Sequence, residues 1–226
     1  MSALIKFISS IEKRYKTQHD NFPTLIIFAG TNGAGKSTLY ESSEHYTDDV
    51  YIINPDVIAK KFACEEGFQS ISKVPLNRQN VLYIKAGKEA LKAREKAFRQ
   101  KLSFGIETTA SSDAVLKLAD KAHNLNYKVV LIYVMLSDAD LHIKRVANRV
   151  KNGGHFVRDD DIKRRFIKGR IILPELLKRS DTAYIYDNTQ KYQTVLIKEN
   201  GKFSIFPSSC NTVNETVKEA VIKIGE

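Results

Sequence analysis

Apolar residues in this chain occur as short unbroken runs separated by longer stretches with helical spacing. Residues 24–29 (Thr-Leu-Ile-Ile-Phe-Ala) are the first such run, the pattern of a strand buried on both faces. A Gly-rich turn follows, and a helix begins at about Lys36. Residues 50–54 predict a second strand; Asn54 is a good N-cap and Pro55 suits a first helical position, so a helix starts there. Residues 79–100 predict a helix in which Ile84, Leu91 and Phe98, seven apart, define one buried face. Residues 103–108 predict a short strand, with Ser111 or Ser112 capping the helix that carries Val115, Leu116, Leu118, Ala119 and Ala122. Residues 128–136 hold the longest apolar strand, and Ser137-x-x-Asp140 has the form of a capping box opening the next helix. Gly153-Gly154 breaks the segment after it. A strand at 182–187, a hairpin turn at Asn200-Gly201 between 194–198 and 203–206, and a helix at about 214–224 complete the pattern. Near the start, Leu4, Ile5, Phe7, Ile8 and Ile11, interrupted by Lys6 and Glu12, predict an amphipathic helix over residues 1–16 rather than a signal peptide.

Strands alternating with helices imply βαβ units and a mainly parallel sheet. Within 226 residues there is no repeat and no Pro/Gly/Ser linker, so one domain over 1–226 is expected. Hydrophobic residues at 42% and charged residues at 27% exclude a disordered or fibrous chain. Cys64 and Cys210 can build neither a disulfide framework nor a four-thiolate zinc site, and they suit a reducing cytoplasm. No apolar run approaches the ~20 residues that span a bilayer, so no membrane role is expected. The net charge of +10 is concentrated: residues 144–179 carry twelve Lys/Arg against four acids. Such a cluster faces either a polyanion or solvent, and it is the natural candidate for a lid.

Gly30-Thr31-Asn32-Gly33-Ala34-Gly35-Lys36-Ser37-Thr38 matches the phosphate-binding pattern G-x-x-x-x-G-K-[ST], directly after an apolar strand and before a helix. Glycines let backbone N–H groups converge on an anion, the following helix presents its N-terminus, Lys36 reaches the β- and γ-phosphates, and Ser37 offers a hydroxyl to Mg²⁺. No Asn-Lys-x-Asp guanine reader and no Asp-Glu pair after an apolar strand occurs, and a small P-loop chain with a basic segment late in it looks like a phosphotransferase rather than a GTPase or motor ATPase. A phosphotransferase needs a carboxylate for the acceptor hydroxyl. Asp56, after the second strand, is either that base or an ordinary first-turn helix acid. Glu107 is a second candidate at a strand end, and His155 lies on phosphate or in a loop. Rival readings are a nucleotide switch or nucleic-acid-binding ATPase using the basic segment, or a phosphotransferase for an antibiotic or nucleoside. Nucleic acid is disfavoured because that segment offers only Phe156 and Phe166 for stacking.

The phosphate loop, Asn54-Pro55-Asp56-Val57-Ile58-Ala59, Phe104-Gly105-Ile106-Glu107-Thr108-Thr109, Arg145-x-x-x-Arg149, Gly153-Gly154-His155-Phe156-Val157, Asp161-x-x-x-Arg165 and Asp187-Asn188 occur in that order. Together they resemble the zeta-toxin family of P-loop kinases, over residues 24–188. The resemblance implies an α/β fold: a three-layer sandwich with a mainly parallel five-stranded sheet, flanking helices, and here a C-terminal β-hairpin plus helix. It implies ATP and Mg²⁺ as cofactors and UDP-N-acetylglucosamine, or a related nucleotide sugar, as acceptor. By position, Asp56 matches the acid that activates the acceptor hydroxyl, and Glu107 and Thr109 match residues that hold the nucleotide sugar. Arg145 or Arg149 matches an arginine on the transferring phosphate, and Arg165 a further lid arginine. An antitoxin protein is implied as partner by the resemblance alone.

Overall fold

The computed structural model describes residues 22–41 and 50–225, and the helix expected over residues 1–16 lies outside them. Seven strands form one sheet: β1 (Thr24–Ala29), β2 (Tyr51–Ile53), β3 (Phe104–Thr108), β4 (Lys128–Met135), β5 (Thr182–Asp187), β6 (Gln193–Glu199) and β7 (Lys202–Ile205), in the order β2-β3-β1-β4-β5-β6-β7. The first five pair in parallel, as the alternation of strands and helices requires. The hairpin β6–β7 adds antiparallel to the β5 edge, so the five expected strands become seven. Asn200 and Gly201 both take positive φ, 50° and 73°, as a two-residue turn matched to strand twist demands. Between the strands run α1 (Lys36–Glu41), α2 (Pro55–Glu65), α3 (Leu76–Arg99), α4 (Ala114–Asn124), α5 (Ala139–Lys151) and α6 (Asp159–Lys178), with α7 (Asn211–Gly225) last.

The unbroken apolar character of β1 follows from its place at the centre. Leu25, Ile27 and Ala29 point into a core shared with α3, α4, α6 and α7, while Ile26 and Phe28 point into a second core with Ala34 and Leu39. Each of the large side chains contributes roughly 1.5–3 kcal/mol through burial. Both faces of the sheet are thus covered, giving the three-layer arrangement.

Three local expectations are corrected. On α3, Ile84 and Leu91 are exposed; the buried positions are Leu82, Ala86, Ala90, Ala97 and Phe98. At 100° per residue, Leu82 and the three alanines lie within about 80° of arc. Small side chains bring that stripe close to its neighbours, whereas the bulkier heptad faces water. Phe98 is buried for another reason: it meets Phe104 and Tyr127 edge-on at 5.0 and 5.1 Å. At α4 neither serine caps; Asp113 occupies the N-cap in helical geometry without a side-chain bond, and Ser111 is engaged by Thr109 at 2.8 Å. At α5 the cap is Asp138, one residue later than expected, because its carboxylate accepts from Leu141 N at 2.8 Å and from Ser137 Oγ at 2.6 Å.

Candidate active site

In a parallel sheet all strands deliver their carboxyl ends to one edge, where ligands of such folds bind. Here β1 runs into the phosphate loop, β2 into Asn54 and α2, and β3 into Glu107. Gly33 and Gly35 have φ of 79° and 104°, which disfavours any side chain. A Cβ at Gly33 would lie 2.8 Å from the His142 carbonyl oxygen, and one at Gly35 would lie 2.4 Å from the Tyr192 hydroxyl.

Lys36 is only 5% exposed. Its ammonium lies 3.4 Å from the Thr31 carbonyl and 3.5 Å from Glu107 Oε1. Burial pushes its pKa down, and the Glu107 carboxylate opposes that. Glu107 Oε2 also accepts from Ser37 Oγ and from Asn54 Nδ2, both at 2.9 Å. One carboxylate thereby ties the ends of β2 and β3 to the start of α1. Asn54 caps α2 by accepting from Asp56 N at 2.9 Å, which fixes Asp56 in the first helical turn. The expected cap and the N1 proline are both present.

Asp56 is exposed at the mouth of this cluster. Its charge favours protonation of Lys36 and of the half-buried His155, whereas the Arg149 guanidinium opposes both. His155 packs against Tyr83 at 4.5 Å between ring centroids, so it is held rather than loose; burial pushes its pKa down. Burial, reinforced by the Asp56 charge, raises that of Tyr83. The three arginines do different things. Arg165 Nη1 donates to Asn32 Oδ1 of the phosphate loop at 2.8 Å. Arg149 donates to the His155 carbonyl at 2.8 Å from an exposed position. Arg145 donates to the carbonyls of Asn188 and Thr189 at 2.7 and 3.1 Å. Thr109 lies one residue past β3 and bonds Ser111, outside the Lys36 cluster.

Four participants were missed in the sequence: Asn54 as a Glu107 partner, and His142, Asn188 and Tyr192 against the phosphate loop. His142 Nδ1 lies 2.8 Å from the Asn32 carbonyl, Asn188 Nδ2 donates to the Ala34 carbonyl at 2.8 Å, and Tyr192 OH donates to the Gly35 carbonyl at 2.6 Å. Asn54, as a helix cap within Asn54-Pro55-Asp56, and Asn188, within Asp187-Asn188, carry a sequence signal; His142 and Tyr192 carry none. Burial, with the Lys36 and Arg145 charges nearby, lowers the His142 pKa to about 4.

The donors near the loop suit Mg²⁺. Ser37 and Glu107 offer a hydroxyl and a carboxylate oxygen, hard ligands of the kind this ion takes together with phosphates and water. Among the described residues no group of three or more His, Cys, Asp or Glu could form an all-protein cage. Both cysteines are free, and no described helix is long and apolar enough to cross a membrane.

Residues 8–210 match the family described as Zeta toxin. A curated relative, an uncharacterized protein of Haemophilus influenzae, is 29% identical over 143 residues, 62% of this chain and 91% of the relative. A solved structure from the PezAT chromosomal toxin-antitoxin system of Streptococcus pneumoniae superposes with a TM-score of 0.58 at 17% identity, covering 100% of this chain and 96% of that one. The AvrRxo1-ORF1:AvrRxo1-ORF2 structure with sulphate ions gives 0.61 at 15% identity over 96% of this chain, and this chain spans 66% of that protein. A further structure of that pair with ATP gives 0.58 at 16% identity. These likenesses carry the fold. With a family match over most of its length and the phosphate loop seated where the fold requires, the chain belongs to the zeta toxin family and is a P-loop phosphotransferase.

Proposed function

We propose that this phosphotransferase moves the γ-phosphoryl group of ATP to a sugar hydroxyl of UDP-N-acetylglucosamine or a related nucleotide sugar. The observation that carries the reading is the convergence of Lys36, Ser37, Glu107 and Asp56 on one sheet edge. The loop amides and Lys36 hold the phosphates. Ser37, with Glu107 beside it, would hold Mg²⁺, which supplies charge neutralisation on the phosphate oxygens. Asp56 takes the proton of the acceptor hydroxyl as its oxygen bonds the γ-phosphorus, and the bond from that phosphorus to the bridging oxygen breaks, releasing ADP. Arg149 and Arg165 offset the charge spread over the transferring group. Arg145 serves by holding residues 188–189. Glu107 and Thr109, at the end of β3, are assigned to the nucleotide sugar in this reading. The chain acts as one kinase domain in which the basic segment 144–179, carried on α5 and α6, closes over the phosphates. A protein antitoxin as partner belongs to the same proposal, supported by the family and by the toxin-antitoxin system named for a neighbouring fold.

The test is incubation with ATP, Mg²⁺ and a panel of UDP-sugars, followed by ³¹P NMR. A new phosphomonoester on UDP-N-acetylglucosamine, absent with Asp56→Asn although that variant still binds ATP, is the expected result. Full turnover by Asp56→Asn overturns the assignment of the base. Phosphorylation of a different hydroxyl compound overturns the acceptor.

A further inference from the structure

Three of the phosphate loop's carbonyl oxygens are gripped from outside the loop. His142 on α5 holds that of Asn32, Asn188 that of Ala34, and Tyr192 that of Gly35. The Gly35 oxygen receives the Tyr192 hydroxyl in addition to its helical bond from Leu39 N at 3.0 Å. In a planar trans peptide the carbonyl and the next N–H point in opposite directions. Fixing these three carbonyls outward therefore aims the N–H groups of Gly33, Gly35 and Lys36 the other way, toward the space where an anion sits. The grip is close: the positions where Gly33 and Gly35 would carry a Cβ are filled by the His142 carbonyl oxygen and by the Tyr192 hydroxyl.

Two of the gripping residues lie between β5 and β6, in a segment that is itself braced. Asp187 accepts from Thr189 N at 2.8 Å and Thr189 Oγ1 at 2.5 Å, while Arg145 holds the Asn188 and Thr189 carbonyls. Ser208 Oγ bonds the other Asp187 oxygen, and the Ser208 backbone is clasped by the Asn214 side chain of α7 at 2.7 and 2.9 Å. A chain of contacts thus runs from α7 through Ser208 and Asp187 to Asn188 and Tyr192, and on to the phosphate loop.

We infer that His142, Asn188 and Tyr192 are positioning residues that set the phosphate loop in its anion-accepting form before nucleotide arrives, and that Ser208 and α7 brace the segment carrying Asn188 and Tyr192. This rests on the reading of the loop as an ATP site. None of the three is placed to touch the reacting atoms; they act through the loop backbone, lowering the ordering cost of binding. Arg145 belongs to the same device.

The experiment is calorimetric titration of the full chain with ATP and Mg²⁺, and separately with inorganic tripolyphosphate, alongside melting curves. The variants are Tyr192→Phe, Ser208→Ala, His142→Leu and His142→Asn, with Lys36→Ala as reference. Loss of one such bond is expected to weaken ATP binding about five- to tenfold. Tyr192→Phe and His142→Leu should show that loss for ATP and tripolyphosphate alike, because the effect passes through the phosphate nest. Ser208→Ala should show a smaller loss in the same direction. His142→Asn, whose amide N–H can replace the ring Nδ1–H, should recover affinity to within threefold of the wild-type chain. A lower melting temperature with ATP affinity within twofold of wild type for Tyr192→Phe, while Lys36→Ala loses binding, overturns the inference and leaves the ATP reading standing. Failure of the wild-type chain to bind ATP overturns both. Should His142→Leu not fold, Tyr192→Phe alone decides.

Discussion

His142 makes stability depend on pH in a window that can be worked out. Its imidazole is 2% exposed, and its pKa falls from 6.5 to about 4, chiefly through burial. In the folded chain it stays neutral until pH approaches 4; in the unfolded chain it takes a proton as pH falls through 6.5. The unfolded state therefore binds more protons between these values. The stabilising contribution is intact above pH 6.5 and is lost progressively on the way down to about 4. Fully expressed, the difference amounts to about 3 kcal/mol, of which about 2 kcal/mol falls between pH 7 and pH 5. For a domain of this size that is about 4–8 °C in melting temperature. The assay compares melting at pH 7 and pH 5 for the wild type and His142→Asn, which keeps a donor for the Asn32 carbonyl but does not titrate. Other groups titrate in the same range, so the measured quantity is the difference between the two pH-induced shifts. The wild type should lose several degrees more than the variant; equal losses would refute the reasoning.

Two further outcomes follow from packing and charge. Glu107→Ala strips Lys36 of its anion and leaves Ser37 and Asn54 without that shared acceptor. The free protein should lose on the order of 3 kcal/mol, and the thermal shift on adding ATP without Mg²⁺ should grow, because phosphate replaces the missing charge beside Lys36; an unchanged melting temperature would contradict this. On α3, Leu82→Ala should cost about 2–5 kcal/mol in urea unfolding, while Ile84→Lys should stay within about 0.5 kcal/mol. The reverse order would reinstate the heptad as the buried face.

The sequence revealed most where a local rule and a tertiary requirement coincide. β1 is apolar at nearly every position because it is central, and the phosphate loop is written in glycines because its backbone must turn. Asn54 and Pro55 serve both as a helix start and as a route for Asp56 to the sheet edge. The failures have separate physical causes. Ile84 and Leu91 carry the greater hydrophobicity on α3, but alanines permit closer packing, and periodicity does not distinguish size from depth. Ser137 lost its cap to Asp138 because an adjacent carboxylate is the stronger acceptor. His142 and Tyr192 meet the phosphate loop across 110 and 157 residues, a separation no spacing rule bridges. The basic segment reads as a single cluster in the sequence, yet three of its arginines take separate places: Arg165 on the loop, Arg149 at its rim and Arg145 behind it.

The position of β1 has a consequence for synthesis on the ribosome. Its partners are β3 and β4, and Tyr192 meets Gly35 from farther still. At about 5–20 residues per second, β1 and the phosphate loop wait on the order of ten seconds or more before Tyr192 emerges. Until β3 and β4 have emerged the apolar strand has no partner to pair with, and until Tyr192 follows them the nucleotide site cannot be complete. Catalytic competence would then arrive late in the life of each nascent chain, and a ribosome stalled before residue 192 would hold an inactive protein whose β1 can already pair with β3 and β4 but whose phosphate loop still lacks its Tyr192 contact.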